Sequence, residues 1–101
     1  MATKKKVGKY VIVRTTSAGC FAGNLHSRKG REVILTNARR LWYWAGAASL
    51  SELAVRGPNK PDECKFPVAV PSITLTEAIE IIDVTDAARK GLEGVPEWTV
   101  R

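Results

Sequence analysis

From Cys20 to Thr36 the chain reads as a β-hairpin. Cys20 to Ser27 forms one strand, Arg28-Lys29-Gly30 a tight turn, and Glu32 to Thr36 a strand that packs back on the first. Gly30 supplies the backbone freedom that a short reversal needs, and Val33 and Ile34 favour the pleated state. Tyr10-Val11-Ile12-Val13 is a further strand ahead of the hairpin, joined to it by the small-residue turn or bulge Thr15-Thr16-Ser17-Ala18-Gly19. A chain of 101 residues that is 45% hydrophobic has material for one core and not for two, so these strands must share a single domain.

Asn37-Ala38 marks a bend after the hairpin, and Arg40 to Trp44 reads as a fourth strand ended by Gly46. Ser49-Leu50-Ser51-Glu52 has capping-box spacing and predicts a short helix through about Val55. The prolines of Gly57-Pro58-Asn59-Lys60-Pro61-Asp62 force a loop. Phe66 to Val70 reads as strand between Pro67 and Pro71. Ile73 to Val84 reads as strand because Ile and Val dominate its end, although Thr74-Leu75-Thr76-Glu77 also has capping-box spacing. Thr85-Asp86 opens a last helix over Ala87 to Leu92, stopped by Gly94 and Pro96.

These elements predict an α+β, mainly β domain: a small barrel over residues 8–101, with one short helix after the fourth strand, a short C-terminal helix, and a basic tail over residues 1–7. The run from Cys20 through Gly30 to Arg40 resembles the strand, turn, strand and bend of Sm-like and other SH3-type barrels, over roughly a fifth of the chain. Sm-like proteins begin with a helix and assemble into RNA-binding rings. No helix is predicted at this N-terminus.

The net charge is +6, with a pI near 9.7, which favours acidic partners such as nucleic acid, nucleotides or an acidic protein surface. The excess gathers at Lys4, Lys5, Lys6 and Lys9, at Arg28, Lys29 and Arg31, and at Arg39-Arg40. The lysine run reads first as a solvated tail and second as a nucleic-acid arm. No apolar run reaches the roughly 18 residues of a membrane span, and no apolar stretch follows Met1 to Lys6 as in a signal peptide, so a cytoplasmic protein without membrane contact is expected. Cys20 and Cys64 are too far apart for a zinc knuckle or redox pair and read as buried small hydrophobes. His26 is alone, and no glycine-rich phosphate loop or nucleophile–base pairing is present in the sequence, so neither an enzyme nor a cofactor or metal site is predicted.

The strongest binding signal is Arg39-Arg40-Leu41-Trp42-Tyr43-Trp44. In an extended run, alternation places Arg40, Trp42 and Trp44 on one face and Arg39, Leu41 and Tyr43 on the other. Either Trp42 or Tyr43 fills the core while the arginines cover apolar surface, or the Leu41 face is buried and two tryptophans are exposed beside Arg40. Arg supplies a fork of donors for phosphate and Trp a π-face for a base. Thr16 and Ser17 offer open amides to an anion or simply form a turn, and Ser49 begins a helix whose free amides attract phosphate.

A second resemblance rests on Val11-Ile12-Val13-Arg14-Thr15-Thr16-Ser17-Ala18-Gly19, Asn37-Ala38-Arg39-Arg40-Leu41-Trp42-Tyr43-Trp44, Gly46-Ala47-Ala48-Ser49-Leu50 and Lys65-Phe66-Pro67. With these the chain resembles a family of small uncharacterised proteins of bacteriophages and prophages. That resemblance implies an accessory viral protein in the bacterial cytoplasm and implies no activity. Three functions follow as expectations. The first is capture of a small phosphorylated, nucleotide-like ligand by Arg39, Arg40, Trp42, Trp44, Ser49, Thr16 and Ser17, in the setting of host defence. The second is nucleic-acid binding by a small barrel. The third is a protein-interaction or virion subunit, as a homo-oligomer or with another chain.

Overall fold

A computed structural model describes residues 8–99; the expected basic tail over residues 1–7 lies outside the described residues. Five antiparallel strands, β1 (Tyr10–Thr15), β2 (Cys20–Lys29), β3 (Glu32–Arg40), β4 (Val70–Leu75) and β5 (Ala78–Asp83), form one sheet in the order β4-β3-β2-β1-β5. Helix α1 (Leu50–Arg56) and a single 3₁₀ turn (Pro61–Glu63) lie between β3 and β4, and α2 (Asp86–Glu93) follows β5. The sheet keeps two edges, so it is not closed.

Its curvature follows from its connections. β4 and β5 stand at opposite edges yet are joined by only Thr76 and Glu77, which forces the edges together at that end. Glu77 O accepts from Thr16 N at 3.0 Å, and Arg31 O accepts from Ala78 N at 3.0 Å. The hairpin tip is thereby tied to the far edge of the same sheet.

Where the length predicts one core, the apolar side chains divide into two clusters, one on each side of β1, because the sheet runs between them. Val11 and Val13 face the concave side with Phe21, Val33, Leu35 and Leu75. Tyr10 and Ile12 face the convex side with Leu41, Leu53, Phe66 and Leu92. A central strand buried on both faces needs a continuous apolar run, which is what Tyr10-Val11-Ile12-Val13 supplies. Each fully buried side chain of this size contributes about 1.5–3 kcal/mol.

β3 does not stop at Asn37-Ala38. Asn37 adopts φ 49°, and the β2–β3 register shifts between Ala22 and Asn24, so the expected bend is a bulge through which pairing runs on to Arg40. Gly23 lies opposite, and a Cβ there would come within 3.0 Å of Ala38 Cα and Thr36 O.

The fourth strand expected over Arg40 to Trp44 is not formed, and α1 therefore follows the third strand. Leu41 is buried and Trp44 and Ala47 pack on the same convex core, a spacing of three that wraps the chain around the sheet instead of alternating along it. The β2–β3 ladder ends with Leu41 N donating to Cys20 O at 2.8 Å, and beyond it Tyr43 makes an isolated bridge, exchanging hydrogen bonds with Lys65 at 2.7 and 3.3 Å. Pairing expected from Phe66 begins at Val70, because Phe66 is fully buried and bridges Glu97. The long strand expected over Ile73 to Val84 is β4 and β5, divided at Thr76-Glu77.

Both helix starts agree with the sequence. Ser49 Oγ accepts from Glu52 N at 3.2 Å, and Thr85 Oγ1 accepts from Ala88 N at 3.0 Å. Thr85 also donates to Val55 O at 2.7 Å, joining α2 to α1. Cys64 is buried and Cys20 half-buried; both are free thiols, and burial raises the Cys20 pKa.

Candidate binding surface

Arg39 and Arg40 diverge because they occupy successive positions of β3. The half-buried Arg39 guanidinium donates to Phe66 O and Val95 O at 2.8 Å, to Leu92 O at 3.2 Å, to Pro67 O at 3.3 Å and to Pro96 O at 3.4 Å. An arginine fork has five N–H donors, and here each meets a backbone carbonyl. Burial lowers the Arg39 pKa without removing its charge. Arg39 is thus the tie that holds β3, the segment entering β4 and the chain after α2 together.

Arg40 points to the concave side, where its guanidinium lies 4.5 Å from the Phe21 ring centroid and Nη1 donates to Ala18 O at 2.7 Å. Trp44 is half-buried against the convex core. Ser49 serves as the cap of the seven-residue α1. Thr16 is tied to Glu77 through Thr16 N, and Ser17 lies on the exposed turn beside Thr15 and Thr74. The seven residues singled out from sequence therefore do not converge on one site.

Trp42 has different neighbours. It is 58% exposed, and its ring stacks on Trp98 with centroids 5.2 Å apart and planes 6° from parallel. Lys65 Nζ lies 5.4 Å from the Trp42 centroid, 5.6 Å from Trp98 and 5.9 Å from Tyr43. Tyr43 is itself half exposed, at 50%. One ammonium framed by three rings is a cation–π cluster worth about 0.5–1 kcal/mol per contact at an exposed site.

The geometry has local causes. The Tyr43–Lys65 bridge sets Lys65 beside the aromatic run, and Trp98 N donates to Phe66 O at 3.0 Å, which brings the end of the described chain alongside. Neither Lys65 nor Trp98 belongs to the binding set expected from sequence, although Lys65-Phe66-Pro67 is part of the second resemblance. Lys65 is adjacent to Phe66-Pro67, but neither residue belongs to a periodic pattern, and the pairing depends on two isolated bridges.

The cluster combines flat, partly open π-surface with a positive charge, which suits an anion carrying a planar ring. A cleft of about 480 Å³ around Arg39 is less suited to an anion, since Glu93 and Glu97 line it and the Arg39 donors already have acceptors. Among the described residues, no three His, Cys, Asp or Glu side chains gather as metal ligands, and no helix is long and apolar enough to cross a membrane.

No curated protein and no solved structure matches the chain. A family model does: the domain of unknown function DUF6948 matches residues 8–92, and the chain belongs to that family.

Proposed function

We propose that this protein is a non-enzymatic binding module for a small phosphorylated ligand bearing a planar base, and that the ligand docks on Trp42, Trp98, Tyr43 and Lys65. The observation that supports this reading is the framing of the Lys65 ammonium by three rings, two of them in a parallel stack. The base stacks on exposed indole and the phosphate pairs with Lys65, a division of labour that needs no catalytic group. The curled sheet with strand order β4-β3-β2-β1-β5 is read as a small barrel of the SH3-like or Sm-like kind that serves as the scaffold. In the phage setting implied by the second resemblance, such a module sequesters a nucleotide signal of the host in the bacterial cytoplasm.

The test is native mass spectrometry of protein purified from bacterial cells, compared with the same sample after denaturation. A small extra mass seen only in the native spectrum, and lost from Trp42→Ala and Lys65→Ala, is the expected result. Removal of one base-stacking contact of about 1–3 kcal/mol lowers affinity by about fivefold to 150-fold. Retention of the extra mass by both variants would remove the basis of the reading.

A second reading, nucleic-acid binding, draws on the net charge of +6. Affinity would then fall steeply with salt as counterions rebind, whereas a single-phosphate ligand depends on salt weakly.

A further inference from the structure

Two hollows flank the contact between Arg40 and Ala18 on the concave side. One, of about 210 Å³, is lined by Phe21, Arg40, Val68, Val70 and Ile73. The other, of about 130 Å³, is lined by Thr15, Ser17, Ala18, Thr74, Leu75 and Glu77. Both are bounded by β4 residues, and β4 is an edge strand.

The edge has a defined polarity. Residues at alternate positions of an antiparallel strand turn both backbone groups to the same side. Pro71 has no N–H and sits mid-strand between Val70 and Ser72, which pair with Ala38 and Thr36 of β3. A proline is accommodated only with its nitrogen away from the ladder, so Pro71 and Ile73 present their backbone groups outward, while Leu75, 4% exposed, is closed off where the turn through Thr16 meets Glu77. Beside this edge stand the exposed apolar side chains Val68, at 59%, and Val70, at 36%. Arg40 has given one guanidinium donor to Ala18 O, and its flat face rests on Phe21. Its charge sits at the mouth of an apolar hollow.

We propose that the β4 edge is a docking site for an extended segment of another protein that carries a carboxylate. The segment adds as a strand beside Pro71 and Ile73, sets an apolar side chain among Phe21, Val68 and Val70, and pairs its carboxylate with Arg40. Charge complementarity selects the carboxylate, and backbone pairing with alternate-side-chain pockets is the recognised physics of strand addition. This site is separate from the Trp42 platform and does not depend on it.

The probe is a fluorescein-labelled hexapeptide of alternating threonine and isoleucine with a free C-terminal carboxylate, and its C-terminal amide as control, followed by fluorescence anisotropy. The acid is expected to bind at least about fivefold more tightly than the amide, a difference that Arg40→Ala abolishes and Trp42→Ala leaves in place. Val70→Lys, on the exposed edge, is expected to weaken both peptides. Equal binding of acid and amide to the native protein would overturn the assignment to Arg40. Failure of both peptides to bind, with concentration-dependent self-association lost in Val70→Lys, would overturn it in favour of a second copy of this chain.

Discussion

The rings of Trp42 and Trp98 lie parallel, 5.2 Å apart between centroids, although one residue follows β3 and the other follows α2 in the chain. Neither is held by regular secondary structure. Trp42 is placed by the Tyr43–Lys65 bridge, and Trp98 by the hydrogen bond its N–H donates to Phe66 O and by the Arg39 fork, which grips Val95 O and Pro96 O. The aromatic platform is therefore a product of tertiary hydrogen bonding, with Arg39 as its foundation.

Arg39→Ala should be among the most damaging single changes. It strips donors from five carbonyls and leaves a gap beside Phe66, whose ring lies 5.4 Å from the guanidinium carbon. Allowing for partial access of water, a loss of about 2–4 kcal/mol is expected in urea unfolding. Arg39→Lys should recover less than half of that, because an ammonium lacks the planar fork.

Tyr10 makes stability fall in alkali. Burial, then the charge of Glu93, pushes its hydroxyl up to about 12, against lowering by Arg39 and Arg89. The folded state keeps the proton that the unfolded state loses from about pH 10, so this contribution is complete below about pH 10 and is lost as pH rises towards 12. A two-unit gap corresponds to about 2–3 kcal/mol over that window. Tyr10→Phe should flatten the difference between urea midpoints measured at the two ends.

Gly23→Ala tests the bulge. The added methyl would press on Ala38 Cα and Thr36 O at 3.0 Å, both backbone atoms that cannot swing away, and overpacking of that kind costs about 1–3 kcal/mol. Gly19→Ala is the contrast: its φ of +98° strains any side chain, but nothing lies within 4 Å. Thermal unfolding of the pair should show the Gly23 variant to be the less stable.

The two helix caps should differ in worth. Ser49→Ala removes one cap bond at an exposed position, about 1 kcal/mol. Thr85→Ala removes the cap bond and the bond to Val55 O that joins the helices, so its loss in urea unfolding should exceed that of Ser49→Ala by about 1 kcal/mol.

Local chemistry made much of this legible. Both caps, the Gly30 turn and the first strand could be read because each depends on residues within a few positions of one another, whereas the burial of that strand on both faces depends on the whole sheet. The Arg40–Trp44 segment could not. Its apolar residues suit strand alternation, yet the positive φ of Asn37 carries pairing to Arg40, after which Leu41 and Trp44 turn onto the convex core. The proposed binding surface was half legible: Trp42 stood out by composition, while Lys65 and Trp98 reach it only through the folded chain.

The three tryptophans provide an internal comparison, since Trp42 and Trp98 form the platform and Trp44 packs on the core. The most direct measurement is a nitrogen–proton correlation spectrum of the indole N–H groups, recorded while a mixture of the common nucleoside monophosphates is added. The Trp42 and Trp98 signals should move together and saturate while Trp44 stays in place. Three stationary signals, or movement of Trp44 alone, would contradict the assignment of this surface as the ligand site.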